Sequence, residues 1–360
     1  MKVVEVVPSL ITGGGEKFVI DLSNSLARAG HDCTLLSMYD PSEDDRLRVY
    51  VEDGVHTASL GKRPGADLRC MLRLARYIRT QKPDVVHVHL AAIMYVFVAA
   101  LFCRRVKFFA TIHSEARREA GTGISKWVRK ILFGCGLVTP VTISEESEKS
   151  FERFYGFDAV MIPNGSSDYI LNDKALQEFE GYRNGVDLLF FHAGRIHGVK
   201  NQVMLVDAFE QVLQRGVNAR LLIAGRVEDR SIFAAMAPHF SDKIVYVGEQ
   251  TDIRALMSVA DAFCLSSTME GMPITIIEAF SVGCVPVVTP VGGCLNMVES
   301  GTNGFISKDL TSESYAQALC DFATLTKEQR AVLKERCLSD FRAHYSIDMT
   351  TKRYLNIWQK

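Results

Sequence analysis

The sequence predicts an α/β protein made of two doubly wound parallel-sheet domains in tandem. Three observations carry this. The chain has 360 residues, more than a single hydrophobic core usually serves. Short apolar runs such as "KVVEVV" (2–7) and "DVVHVHL" (84–90) are nearly continuous, as in strands buried on both faces. Stretches of helical periodicity separate them, so strand and helix alternate along the chain.

In order, strand 2–7 is followed by a glycine-rich turn and the helix "EKFVIDLSNSLARAG", which ends at Gly30. Strands at 33–38 and 55–60, a helix over 67–81, a strand at 84–90 and a helix over 91–103 come next. A strand at 106–113, a basic helix over 124–134, a strand at 137–143, a helix over 144–155 and the strand "AVMIPNG" (159–165) complete the first half. Residues 166–185 are polar and lack a strand pattern, which places the inter-domain linker there. The pattern restarts with a strand at 186–194, a helix over 201–215 and strands at 220–225, 243–248, 261–267 and 285–290, with helices between them. The last ~45 residues read as helical. Domains are expected over 1–168 and 169–345, with one cleft between the carboxyl edges of their sheets, where such sheets bind ligands.

Composition narrows the class. Hydrophobic residues at 48% and charged residues at 23% suit a soluble globular protein. A net charge of −1 offers no general attraction to nucleic acid. The charge is uneven, because residues 61–130 hold 15 Lys or Arg against 4 Asp or Glu. A basic face on the first half is expected. Nine cysteines, an odd number without a CxxC pair, read as reduced core residues of a cytoplasmic protein and not as a disulfide or zinc framework. The first run, "MKVVEVVPSL", contains an acid and no cleavage site, unlike a signal peptide. The longest apolar run, 90–103, is short of the ~20 residues of a membrane span, and reads as a buried helix.

Four strand-to-helix turns carry chemistry. In "TGGGEK" (12–17), Gly14 and Gly15 let a ligand approach the backbone, and the free amides of the helix start favour an anion. A tight turn needing positive φ fits the same glycines. In "HAGRIHGVKN" (192–201), Arg195 and Lys200 follow Gly194 on one loop and suit a diphosphate, though two solvated cations would look the same. In "TIHSE" (111–115), His113 ends a strand and can bond a phosphate or a sugar hydroxyl, or simply the backbone. His87 and His89 share a strand face and read mostly as packing residues, with His89 the nearer to the rim.

The fourth turn is "SSTMEGMPITIIEAFSVGCVPVVTP" (266–290), in which Glu270 and Glu278 stand alone in an apolar segment. Pro273 suits the first helical position, which sets Glu270 in the loop and Glu278 about two turns into the helix. The amides of Gly271, Met272 and Ile274 would face the cleft. Carboxylates accept from vicinal hydroxyls, so the two acids could grip two polyol ends of one ligand; a helix cap and an ion pair are the plainer reading.

These residues together resemble the family 4 retaining glycosyltransferases. "GGGEK", "GRIHGVK" and "EGMPITIIEAFSVGCVPVVTPVGG" occur in the family's order and spacing, and the resemblance spans nearly the whole chain. It implies the GT-B fold, with two Rossmann-like domains, an acceptor-binding first domain, a donor-binding second one, and a last helix (346–360) crossing back to the first. It implies that Arg195 and Lys200 bind the donor diphosphate, Glu278 the ribose hydroxyls and Glu270 the transferred sugar beside the backbone of Gly271 and Met272. It further implies that His113 lies near the reacting sugar, Gly14 and Gly15 close on the phosphate, and the turn at Gly248 takes the base. The chain has "IPNGSSD" where the family often has "IPNGVD", so Asp168 receives no role, and Met272 stands where Phe is frequent.

The resulting expectation is a hexosyltransferase that uses a nucleotide-diphosphate sugar, UDP- rather than GDP-linked, on a glycan or lipid-linked acceptor of surface polysaccharide synthesis. No DxD motif ends a strand, so no metal or other cofactor is expected. The segment 117–130, with Arg117, Arg118, Lys126, Arg129, Lys130 and Trp127, suits peripheral contact with an anionic leaflet, as does the helix carrying Arg69, Arg73, Arg76 and Arg79; a solvated helix face is the alternative. Two other functions share the fold: a sugar-nucleotide 2-epimerase, and a non-catalytic nucleotide-sugar binding protein.

Overall fold

The computed structural model describes residues 1–11, 13–120, 123–170 and 173–360. The chain forms two compact units, Met1–Ser167 with Tyr345–Lys360, and Asp168–His344. Both are parallel α/β sheets flanked by helices, as the sequence predicts.

The first unit holds β1 (Lys2–Val7), β2 (Asp32–Ser37), β3 (His56–Ser59), β4 (Val85–His89), β5 (Lys107–Ile112), β6 (Thr139–Thr142) and β7 (Val160–Met161). Their spatial order is β3-β2-β1-β4-β5-β6-β7, and every pairing is parallel. Val3, Val4, Val6 and Val7 are fully buried, and so is Glu5 between them, as in a central strand covered on both faces. The second unit holds β8 (Leu188–Ala193), β9 (Ala219–Ala224), β10 (Ile244–Gly248), β11 (Ala262–Leu265), β12 (Val285–Val288) and β13 (Phe305–Ile306), ordered β10-β9-β8-β11-β12-β13. In each sheet the strand order reverses at one place, beside β1 and β4 in one and beside β8 and β11 in the other. Such a reversal opens a crevice at the carboxyl ends of the strands.

Several elements differ from the sequence reading; the strand expected over 159–165, for one, is only Val160–Met161. The run 90–103 starts as a 3-10 helix, Leu90–Val96, and only Phe97–Phe102 is α-helical. Leu90 leaves β4 with φ of 56°, a left-handed value that a β-to-helix corner imposes. Residues 166–185 contain the helix Asp173–Glu180, an element of the second unit. β13 has two residues, too few to leave a pattern.

The helix Ile347–Gln359 belongs to the first unit. It buries Tyr354 and Trp358, and Thr351 and Asp348 bond the Ser25 hydroxyl at 2.9 and 2.8 Å. Gly165 permits the approach, since a Cβ there would lie 2.6 Å from Thr350 Oγ1. All nine cysteines are free; six are buried as expected of core residues, but Cys135 is exposed. No described helix is long and apolar enough to cross a membrane.

Candidate functional site

In the second unit, the loop after β8 is shaped by backbone contact. Gly194 N–H donates to Ala224 O at 3.0 Å, and Gly225, at φ of 150°, presses on Gly194, where a Cβ would come within 1.9 Å of its carbonyl oxygen. Only glycine fits both the angle and the space. Arg195 projects outward, with its side chain 56% exposed, and donates to Glu228 at 2.9 Å. Arg226 donates to the same carboxylate at 2.7 Å. The bond from Arg226, and then that from Arg195, hold Glu228 below the usual carboxylate range.

His192 pins this loop from below. Cys264 O can only accept, so the proton sits on His192 Nδ1 at 2.9 Å from it, and Nε2 accepts from Gln202 at 3.2 Å. Burial pushes the imidazole down to about 4. Gln202 also donates to Arg195 O at 2.9 Å, which ties the cation's backbone to the core. The sequence reading missed His192, Gln202 and Glu228, although "HAGR" carried the first of them in plain view.

Lys200, at the end of the 3-10 turn Gly198–Lys200, donates to Glu270 Oε1 at 2.7 Å. Ser267 Oγ donates to the same oxygen at 2.5 Å. The strand-end loops of β8 and β11 are stitched further by Ser266 Oγ to Lys200 O, 2.8 Å, and by Thr268 N–H to Val199 O, 2.8 Å. Glu270 and Lys200 thus form one unit of a cation, an acid and a hydroxyl at the carboxyl edge of the sheet.

Glu278 sits elsewhere than expected. The helix is Ile274–Ser281, Pro273 is its N-cap residue, and Glu278 is its fifth residue, about one turn in, and buried. Met272 and Ile274 are also buried, each 8% exposed. Gly293 lets the next loop close over this one, since a Cβ there would lie 2.0 Å from Gly271 O. At the end of β10, Gly248 takes φ of 77° and its carbonyl accepts from Gly225 N–H at 2.9 Å.

In the first unit, Gly14 and Gly15 open the helix Gly14–Arg28, and neither has positive φ. Space is what Gly15 supplies: a Cβ would lie 3.3 Å from Leu90 Cδ2 and 3.7 Å from the His113 ring. Thr12, which begins this loop in the sequence reading, lies outside the described residues. His113 follows β5, and its backbone N–H donates to Glu119 Oε2 at 2.8 Å.

His87 and His89 are not simple packing residues, and His89 does not reach a rim: both are fully buried. They flank Glu5, itself fully buried, at 3.0 Å from His87 Nδ1 and 2.7 Å from His89 Nε2. His87 Nε2 lies 2.7 Å from Thr111 Oγ1, which lies 2.8 Å from Tyr354 OH. His89 Nδ1 lies 3.0 Å from His113 Nε2. Burial lowers all three imidazoles to about 3 and raises Glu5, against the pull of His89. Ligand atoms of Glu5, His87 and His89 lie within 4.8 Å of one another, but a cation could use them only by breaking these bonds.

The basic segment is divided by packing. Arg129 is buried, 3.5 Å from Glu119, so it adds nothing to a basic surface. Arg117, Lys126 and Lys130 are exposed, and so are Ile124, Trp127 and Ile131 on the helix Ile124–Gly134. Gly121 and Thr122 lie outside the described residues. On the helix Leu68–Gln81, Arg73 turns inward to Asp67 at 3.0 Å, while Arg69, Arg76 and Arg79 face solvent.

Comparison with known proteins bears on the family and the fold. A model described as Glycosyltransferase Family 4 matches residues 12–167, and one described as Glycosyl transferases group 1 matches 187–324. N-acetyl-alpha-D-glucosaminyl L-malate synthase of Bacillus anthracis is 22% identical over 82% of this chain and 80% of its own. The UDP-Gal:alpha-D-GlcNAc-diphosphoundecaprenol alpha-1,3-galactosyltransferase of Escherichia coli is 22% identical over 70% of each chain. Among solved structures, Anabaena Alr3699/HepE in complex with UDP and glucose superposes with a TM-score of 0.83 at 17% identity, over 100% of both chains.

Proposed function

Because this chain belongs to the family 4 glycosyltransferases of the GT-B fold, we propose that it transfers a hexose from a UDP-sugar, with retention of anomeric configuration, to a lipid-linked or glycan acceptor in surface polysaccharide synthesis. The observation that carries this reading is the bonded set of Lys200, Glu270 and Ser267 at the carboxyl edge of β8 and β11. It pairs a cation suited to phosphate with an acid suited to hydroxyls.

Breaking the anomeric C–O bond puts positive charge on the sugar and further negative charge on the leaving diphosphate. Lys200 and Arg195 each hold a carboxylate without ligand, Glu270 and Glu228 respectively. The diphosphate takes both cations, Arg195 through its fork and Lys200 as a point charge. Glu270, relieved of Lys200, accepts hydrogen bonds from sugar hydroxyls, and Glu278 accepts from the ribose. Fixed positive charge aimed at the leaving group is the main catalytic contribution and makes a divalent metal unnecessary. Gly14, Gly15 and Gly194 give backbone access to phosphate, Gly248 to the base, and the backbone of Gly271, Met272 and Ile274 to the sugar. His113 bonds a hydroxyl of the transferred sugar. UDP is favoured because the HepE structure carries it.

The acceptor reading draws on the exposed Ile124, Trp127 and Ile131 among Lys126 and Lys130, a face suited to the cytoplasmic leaflet beside a lipid-linked acceptor. The E. coli relative acts on such an acceptor by its name. The test is a thermal-shift panel of UDP-, GDP- and ADP-sugars followed by product analysis. A ligand at 100 times its Kd stabilises by about 2.7 kcal/mol, so one base should stand out. Transfer that needs an added acceptor supports the reading. Epimerisation of the donor alone, or binding without turnover across acceptors, rejects it.

A further inference from the structure

The reaction above uses His113 but none of the buried polar groups behind it. Those groups form one continuous chain: His113, His89, Glu5, His87, Thr111 and Tyr354, the last on the C-terminal helix. With Glu5 ionised, the donors and acceptors along it can be ordered from one end.

A neutral imidazole has one N–H and one bare nitrogen, whereas a carboxylate only accepts. Glu5 lies between His87 and His89, so both rings point their N–H at it, His89 from Nε2 and His87 from Nδ1. His89 Nδ1 is then bare and must accept. The atom facing it at 3.0 Å is His113 Nε2, which must therefore carry the proton. His113 Nδ1 is left unprotonated, and it has no hydrogen-bond partner among the described residues. The other branch agrees: bare His87 Nε2 accepts from the Thr111 hydroxyl, which accepts from Tyr354 OH.

Aromatic neighbours pack around these rings. Phe18 packs edge-on against His89 and His113, with centroids 6.3 and 5.8 Å away, and the His87 ring lies tilted against Tyr354 at 4.8 Å. Glu119 holds the His113 backbone, and the missing Cβ of Gly15 leaves room beside its ring at the start of the first helix.

We propose that Glu5, acting through His89, is a positioning residue that fixes His113 as the Nε2–H tautomer, so that its bare Nδ1 accepts a hydrogen bond from a hydroxyl of the transferred sugar. The sugar contact rests on the function proposed above; the tautomer does not. A carboxylate is needed because an amide in its place can turn its NH2 toward either ring, which allows the chain of bonds to run in either direction. The arrangement resembles other carboxylates that orient a working histidine from behind.

The tautomer can be read directly. Ligand-free full-length protein, 15N-labelled at its histidine rings, gives long-range 1H–15N correlations that separate protonated from bare nitrogens, and a His113→Gln spectrum assigns the signals. Wild type should show His113 with Nε2 protonated and Nδ1 bare, and Glu5→Gln should show it reversed or averaged. A protonated Nδ1 in wild type overturns the proposal, even if Glu5→Gln proves too unstable to study. So does a His113 spectrum that Glu5→Gln leaves unchanged. In turnover, Glu5→Gln should lower kcat by about 10- to 100-fold with donor KM little changed. It should add nothing in a His113→Gln background. Equal losses in both backgrounds mean that Glu5 does not act through His113. If no donor is turned over but the tautomer is as stated, the sugar-transfer reading fails and the positioning of His113 stands.

Discussion

Lys200→Ala separates a structural from a catalytic use of the strand-edge cation. The Lys200–Glu270 bond is 2.7 Å long, with side chains 21% and 12% exposed. Exposed ion pairs are worth about 0–1 kcal/mol, and breaking a buried one costs about 3–5 kcal/mol. This pair lies between, and Ser267 still donates to Glu270 after the change, so a loss of about 1–3 kcal/mol is expected. For a unit of this size that lowers Tm by roughly 2–12 °C, measured by scanning fluorimetry without ligand. Catalysis should suffer more: losing one fixed donor to a developing charge costs about 2.7–4 kcal/mol, or 10²–10³-fold in kcat. Donor-induced stabilisation should shrink in parallel. A variant that melts lower yet keeps kcat/KM within about threefold of wild type, under 1 kcal/mol of barrier, refutes the diphosphate role and leaves Lys200 as a partner for Glu270 alone.

Other outcomes follow from the same geometry. Arg195→Ala breaks an outward-facing pair, so stability by urea unfolding should change by less than about 1 kcal/mol while transfer falls steeply. Gly225→Ala forces a Cβ to 1.9 Å from Gly194 O at φ of 150°, and should cost about 3 kcal/mol or more in urea unfolding and displace the Arg195 loop. Trp127→Ala with Lys126→Ala and Lys130→Ala should leave Tm unchanged but reduce co-sedimentation with anionic vesicles, by about 1 kcal/mol per lysine; vesicle binding by this variant equal to wild type rejects docking through this face. For pH, His87, His89 and His113 fall from an ordinary 6.5 to about 3, so the unfolded chain binds more protons below 6.5. Stability should therefore fall as pH drops from about 6.5 toward 4.5, with raised Glu5 acting in the opposite sense. A Tm flat across that window contradicts neutral buried imidazoles.

Two parallel-sheet units and the places of their strand-to-helix turns were legible in the sequence alone. Both are local properties: unbroken apolar runs select strands covered on two faces, and glycines, prolines and lone charges mark turns beside them. The sequence did not determine which charge meets which. Arg195 and Glu228 are 33 residues apart, Lys200 and Glu270 are 70, and His89 and Glu5 are 84. Those meetings depend on strand order, and β1 lies beside β4 only because the sheet reverses there. For the same reason His89 reads from "DVVHVHL" as a packing residue, the nearer of two to the rim, and proves to be a fully buried link to His113. Alternation along one strand says which side a ring takes, and only the neighbouring strands and the returning C-terminal helix decide whether water or another side chain is waiting there.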